Sequence, residues 1–269
     1  MLNLKIHKNP TFVSQPTMIA ALPDMGNVAG MGMTLLTTSL EADLFAEIYA
    51  FWPPFVTYNQ GIIRYVQSSY KFYWVSKYDL VIFTGDFNPS DPRRLYEICY
   101  EVLKMAERVD AKILYSIGAA LRQNTSSTST SGGGVYGAVN NEQIADKISK
   151  FNMNVLEGEG QIIGFNGLIL GLAKERGLNA MCILGEIDNP NVIQPMTAKA
   201  ILHTLTKILG IPSLDMKELE EEEKRKKFME HQMNYLENVM EHGGQTPWDS
   251  VDWYYRNYVS RQSFRIRLR

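Results

Sequence analysis

Apolar residues in this chain fall into two patterns: short, nearly unbroken runs, and stripes that recur every three or four positions. Thr17–Leu22 (TMIAAL), Asp79–Thr84 (DLVIFT), Lys112–Ile117 (KILYSI) and Ala180–Leu184 (AMCIL) are the runs. Runs of this length read as strands covered on both faces. Ala42–Phe51 predicts another strand, stopped by Trp52-Pro53-Pro54. Ile62–Val66 and Lys71–Val75 alternate β-branched and aromatic residues, which predicts a hairpin of those two segments. Val135–Val139 and Met153–Leu156 predict two further strands.

The stripes predict helices between these runs. Leu95, Ile98, Cys99, Val102, Leu103 and Ala106 share one face after a turn in which Ser90 or Asp91 caps and Pro92 opens the helix. Asn140 or Asn141 caps a helix through Phe151, with Ile144, Ile148 and Phe151 inward. Met196–Leu209 carries Ala198, Ile201, Leu202, Leu205, Ile208 and Leu209 on one face and ends at Gly210 and Pro212. Leu156–Glu186 is the organising stretch: a turn with Gly158 and Gly160, an apolar helix, a cap glycine at Gly177, then the buried run. The helix is expected to carry Ile163, Leu168, Ile169, Leu172 and Ala173. Gly164, Gly167 and Gly171 share another face, which predicts close backbone approach there.

Strands alternating with helices place the chain in the α/β class. With 269 residues and 45% hydrophobic content it can bury a substantial core. The composition changes near residue 213. Beyond it comes KELEEEEKRKK, in which Glu220/Lys224, Glu221/Arg225, Glu222/Lys226 and Glu223/Lys227 are i,i+4 pairs in the favourable order. We therefore expect an α/β domain over 1–212 and a helical extension over 213–269. Met229, Met233, Leu236 and Met240 stripe the extension, and Gly243-Gly244 breaks it. Trp248, Trp253, Tyr254 and Tyr258 follow, interleaved with arginines. These eight side chains are candidates for a partner or oligomer interface, on the parent domain or a sister subunit, with RNA the alternative.

Charge and cysteine usage narrow the classes. A formal net charge of −2 gives no global basic field, so nucleic acid is not the expected partner. Cys99 and Cys182 sit in apolar stretches and read as core thiols, without a disulfide, in a reducing cytosol. No apolar run is long enough to span a membrane, and MLNLKIHKNPTF lacks a signal-peptide core. NTSSTSTSGGG over 124–134 reads as a connector or a lid.

Candidate chemistry gathers where strands end. PDMGNVAG after the first strand places backbone N–H groups at a helix start, where anions bind. Its spacing matches neither the dinucleotide fingerprint nor the P-loop, so a tight turn serves equally well. Asp24, Gly26, Asn27, Glu157 and Glu159 are the candidate ligand-binding residues, with Glu157 and Glu159 a conceivable acid/base pair. Asp86, Glu186 and Asp188 lie at the same edge. The four histidines are scattered, so no metal site or cofactor is expected, and no nucleophile elbow occurs.

Four segments together resemble the PAC2 family, relatives of proteasome assembly chaperone 2 found in archaea and bacteria. They are the PDMGNVAG opening, DLVIFTGD, GEGQIIGFNGLILGLAKERGLNAMCILGE and TAKAILHTLTKILGI, spanning about Met18 to Ile211. The resemblance implies a three-layer α/β/α sandwich with a mixed, mostly parallel sheet, like that of nucleoside phosphorylases and peptidyl-tRNA hydrolases. It also implies a cytoplasmic homo-oligomer and, for some members, chaperone binding to the 20S proteasome. Those members end in a hydrophobic-Tyr-any tripeptide. This chain ends Arg267-Leu268-Arg269, and Tyr258-Val259 is internal. The expected function is thus a non-catalytic, self-assembling chaperone or scaffold, with a ligand-binding protein or enzyme acting on a nucleotide or carboxylate (phosphorylase- or ligase-like) as the alternative.

Overall fold

The computed structural model describes residues 2–50, 56–65, 68–122, 134–156 and 158–242, with side chains through Met233. It divides into a first unit ending at Glu223 and a second beginning at Lys224. The elements in chain order are β1 (Leu2–Ile6), β2 (Thr17–Ala20), α1 (Val28–Ser39), β3 (Asp43–Ala50), β4 (Val56–Asn59), β5 (Ile62–Tyr65), β6 (Ser68–Val75), β7 (Leu80–Gly85) and α2 (Pro92–Arg108). They continue with β8 (Ile113–Leu121), β9 (Val135–Val139), α3 (Asp146–Lys150), β10 (Asn154–Val155), α4 (Gly164–Glu175), β11 (Ala180–Ile187), α5 (Pro195–Leu209) and α6 (Lys217–His242).

Nine strands form one sheet in the order β1-β3-β6-β7-β2-β8-β11-β9-β10. The unbroken apolar runs make its centre: β2 lies parallel to β7 and β8, and β11 lies parallel to β8. Antiparallel pairs flank this block, β6 on β7 at one side and β9 on β11 at the other. Alternation along β2 sends Met18 and Ala20 into one core and Ile19 and Ala21 into the other. Helices α2 and α4 cover the first core, and α1, α3 and α5 cover the second. This is the three-layer α/β/α sandwich expected.

An aromatic knot fills the first core. Phe83 is fully buried, with its ring centroid 4.8 Å from Phe72, 6.1 Å from Tyr70 and 6.0 Å from Phe165. Helix α2 starts where its cap says it should. Asp91 accepts from Arg93 N and Arg94 N, and Pro92 takes the first helical position of α2, where its missing N–H costs nothing. Gly210 takes φ 66 and ends α5. Both cysteines are free and buried. At the start of α6, Met216 and Leu219 are buried in the second core, and Glu220 pairs with Lys199 at 2.6 Å. In the second unit, α6 continues with Met229 and Met233 exposed and Lys226 at 4.0 Å from Glu230. No helix among the described residues is long and apolar enough to cross a membrane.

Several local expectations need correction. Ile62–Val66 does not pair with Lys71–Val75. Strand β5 pairs with β4 in a separate two-stranded sheet, and β6 joins the main sheet between β3 and β7. The turn residues Gln60 (φ 50) and Gly61 (φ 78) make the shorter closure, which local turn geometry favours. The helix after Asn141 is a short 3-10 turn followed by the five-residue α3. Ile163 stands 82% exposed as the residue before α4, not inside it. The glycine face of α4 is mostly open: a Cβ would meet nothing at Gly164 or Gly171, and only at Gly167 would it collide, with the Ile162 carbonyl. The loop 124–134 falls outside the described residues except at its last position.

Candidate functional site

The chain leaves β2 towards α1 on one face and leaves β7 towards α2 on the other, so adjacent strands send their connections to opposite sides. Sites in open α/β sheets lie beyond strand C-termini at such points. Here the segment after β2 carries Asp24, Gly26 and Asn27. Asn27 N donates to the Asp24 carbonyl at 3.0 Å, and Gly26 (φ 62) and Asn27 (φ 50) both take the left-handed region. Gly26 satisfies the reason for a glycine there twice over. Its φ excludes most side chains, and a Cβ would approach Gln194 Cγ to 2.6 Å. Its N–H donates to the Pro190 carbonyl and its own carbonyl accepts from Gln194 N, both at 2.9 Å. The backbone of Gly26 is therefore engaged by the loop leading into α5.

Asp24 is the chemically unusual group. Its Oδ1 accepts from Ala29 N at 2.8 Å and its Oδ2 from Ala119 N at 2.6 Å, tying the start of α1 to the end of β8. Burial pushes its carboxyl up from the usual 3.8 to about 6, against the downward pull of these backbone donors. Around it lie polar groups that the sequence does not single out. Ser116 is fully buried on β8, opposite Cys182 of β11, and its Oγ has no sound hydrogen bond even though the Cys182 thiol is its neighbour. Burial pushes that thiol up to about 12, and the nearby Asp24 charge adds to the effect. Asn166 of α4 reaches Gly118 of β8, and its Oδ1 is buried without a partner. Ser116 and Asn166 were hidden from sequence reasoning because each looks like an ordinary polar residue in its element. The one signal was Gly118, a glycine in the interior of a strand, which marks a close approach.

A Cβ at position 118 would collide with Asn166 Nδ2 and lie 3.2 Å from Asp24 Oδ2. Gly118→Ala is thus expected to cost about 1–3 kcal/mol in urea unfolding. The double variant Gly118→Ala/Asn166→Ala is expected to recover much of that loss, because it removes the group displaced. Additive losses would mean that the two positions do not touch.

Glu159 is exposed on the turn before α4 and makes no hydrogen bond or ion pair with Asp24. Glu157 lies outside the described residues, so the pair proposed around Gly158 is represented by one member. The other edge carboxylates have structural partners: Glu186 pairs with Arg122 at 3.3 Å, and Asp188 accepts from Gln194 at 2.9 Å. Asp86 accepts from Ser69 N at 2.9 Å. No group of three or more His, Cys, Asp and Glu could hold a metal among the described residues.

Large apolar side chains ring this edge. Met25 beyond β2, Leu121 at the end of β8, Ile163 before α4 and Met196 in the first turn of α5 are all exposed. A cavity of about 410 Å³ lies at the opposite edge, lined by Thr17, Leu80, Ile113 and Asn179 at or just before the starts of the parallel strands. Of the interface candidates, Met229 and Met233 are exposed on α6. The side chains of Leu236 and Met240, and all of Trp248, Trp253, Tyr254 and Tyr258, lie outside what the structure describes.

Comparisons with known proteins follow the same outline. The model of the PAC2 family matches residues 18–234. An uncharacterised protein of Methanocaldococcus jannaschii is 27% identical over 220 residues, which cover 79% of this chain and 80% of that one. PbaB of Pyrococcus furiosus, an archaeal proteasome activator, aligns at 26% identity with a TM-score of 0.72, covering 88% of this chain and 98% of its own. PbaA of the same organism, an archaeal homologue of proteasome-assembly chaperone, shares the fold at 21% identity with a TM-score of 0.68, covering 95% and 98%.

Proposed function

Because this chain belongs to the PAC2 family, we propose that it is a non-catalytic, self-assembling protein of the proteasome-assembly-chaperone type, acting as a chaperone or scaffold for a protein client in the cytosol. The 20S proteasome is the first client to test. The observation that carries the proposal is the likeness to PbaB over 88% of this chain and 98% of its own. The state of the strand edge agrees with it. Both Asp24 oxygens are occupied by backbone N–H groups, the Gly26 backbone is engaged by the loop before α5, and the Ser116 and Cys182 side chains are out of reach of a substrate. Exposed Met25, Leu121, Ile163 and Met196 suit contact with protein better than with a small polar molecule. We assign the stripe of Met229, Met233, Leu236 and Met240 and the aromatic tail with Trp248, Trp253, Tyr254 and Tyr258 to partner or oligomer contact.

Light scattering of the purified chain, alone and mixed with 20S particles from the same source, tests this reading. A defined oligomer that co-migrates with the particle is the expected result. A monomer across micromolar concentrations removes self-assembly, and an oligomer that ignores the particle moves the client elsewhere. Truncation after His242 is expected to lower either the native mass or particle binding; if both survive unchanged, the tail is not the contact.

A second reading rests on one observation, the Asp24 carboxyl raised to about 6 beside two partnerless polar atoms. It makes the region around Asp24, Gly26, Asn27 and Glu159 a ligand site for a nucleotide or carboxylate. A thermal-shift screen with those compounds that finds stabilisation lost in Asp24→Ala would favour it. A screen without hits leaves the chaperone reading alone.

A further inference from the structure

The two-stranded sheet of β4 and β5 stands apart from the nine-stranded one, and every residue in both strands is exposed. An isolated two-stranded ribbon is marginal in water. This one is two-faced. Its register pairs Val56 with Tyr65 and Tyr58 with Ile63, so strand alternation puts these four side chains on one side. Thr57, Arg64, Asn59 and Ile62 take the other, where Thr57 Oγ1 donates to the Arg64 carbonyl. Tyr58 is 80% and Ile63 68% exposed, and Val56 and Tyr65 about half.

We infer that this apolar hairpin face is a self-association surface, packing against the same face of a second copy of this chain. The inference rests on the self-assembly part of the proposed function and gives it a location. Three features select a second copy as the occupant. The first is area: the four side chains leave about 500 Å² in contact with water, so two such faces bury about 1,000 Å² together, the size at which a specific interface begins. The second is charge. Arg64 is the single charged residue between Val56 and Tyr65, and it lies on the opposite side, so two apolar faces meet without like-charge repulsion. The third is pattern. Each cross-strand pair sets an aromatic beside a branched aliphatic residue, so a two-fold axis through the face places tyrosine over isoleucine or valine in both directions.

The test uses the full chain. Tyr58→Ser/Ile63→Ser is expected to raise the self-association dissociation constant at least tenfold, seen as a lower native mass at equal concentration, while circular dichroism and the thermal midpoint of the core stay unchanged. A second variant covers the case in which the C-terminal extension holds copies together independently. Ile63→Cys treated with a short bis-maleimide, which spans the sideways offset between position 63 of the two copies, is expected to give a covalent dimer in high yield. The native thiols do not compete, because Cys99 and Cys182 are buried and both are pushed up to about 12. An unchanged mass in the serine variant together with no covalent dimer overturns the inference. A serine variant that keeps its mass but loses the 20S particle also overturns it, and turns the face into a client surface. A wild-type chain that is monomeric and ignores the particle overturns the proposed function itself, so the two failures are told apart.

Discussion

Phe83→Ala is expected to lower the unfolding free energy by about 3–5 kcal/mol. Phe83 is fully buried in β7 and contacts three rings from two other elements: Tyr70 and Phe72 on β6 and Phe165 on α4. Removing it takes away the transfer free energy of a whole ring. It also leaves a void that neighbours on rigid strands cannot close. For a chain of this size the loss corresponds to a fall of roughly 6–20 °C in thermal midpoint. Phe83→Leu, which keeps most of the volume, is expected to lose far less. Urea unfolding followed by tyrosine and tryptophan fluorescence measures both, and a Phe83→Ala loss below about 1 kcal/mol would show that ring packing is not what holds β6, β7 and α4 together.

Asp24→Ala has a comparable effect, and its size depends on pH. The variant leaves the Ala29 and Ala119 N–H groups without their acceptor, which costs about 2–5 kcal/mol. The folded carboxyl titrates near 6, above its usual 3.8, because burial disfavours its charge. A group raised in this way contributes its stability in full below about pH 3.8 and loses that contribution as pH rises through about 6. Wild type is therefore expected to exceed Asp24→Ala by most at pH 4 and by up to about 3 kcal/mol less at pH 7. Comparing the two proteins at each pH removes the titration of every other group. A gap that stays constant between pH 4 and pH 7 would mean that the carboxyl is not raised.

The parallel core of this fold was legible in its sequence because β2, β7, β8 and β11 are covered on both faces, and coverage forces long apolar runs. Helices α2 and α5 were legible because each buries one stripe and is bounded by a local signal, the start at Asp91 and Pro92 for α2 and the stop at Gly210 for α5. What failed was pairing. The segment from Ile62 has no residue that distinguishes β4 from β6 as its partner; the closure at Gln60-Gly61 and the demand of β3 for a neighbour decide it. β1 was missed although Leu2, Leu4 and Ile6 alternate, because three of its five residues are exposed and the signal is short. Of the candidate site, Asp24 and Gly26 could be placed from the turn they occupy. Ser116 and Asn166 could not: Ser116 is enclosed only when β11 is laid beside β8, and Asn166 reaches Gly118, forty-eight positions before it, only when α4 is laid across β8.

The two margins of the main sheet differ in a way that bears on how the protein avoids uncontrolled aggregation. At one margin β10 is two residues long and offers too few unpaired backbone groups to template another chain. At the other, β1 is fully extended over five residues, paired on its inner side to β3 from Ala46 to Ala50. Its outer side is the longer invitation to strand addition, and Lys5 stands exposed within it. A lysine on an edge strand disfavours pairing with a bare hydrophobic segment from an unfolded neighbour, which would have to bury its charge unpaired. The chain thus guards its sheet by brevity at one end and by a single cation at the other.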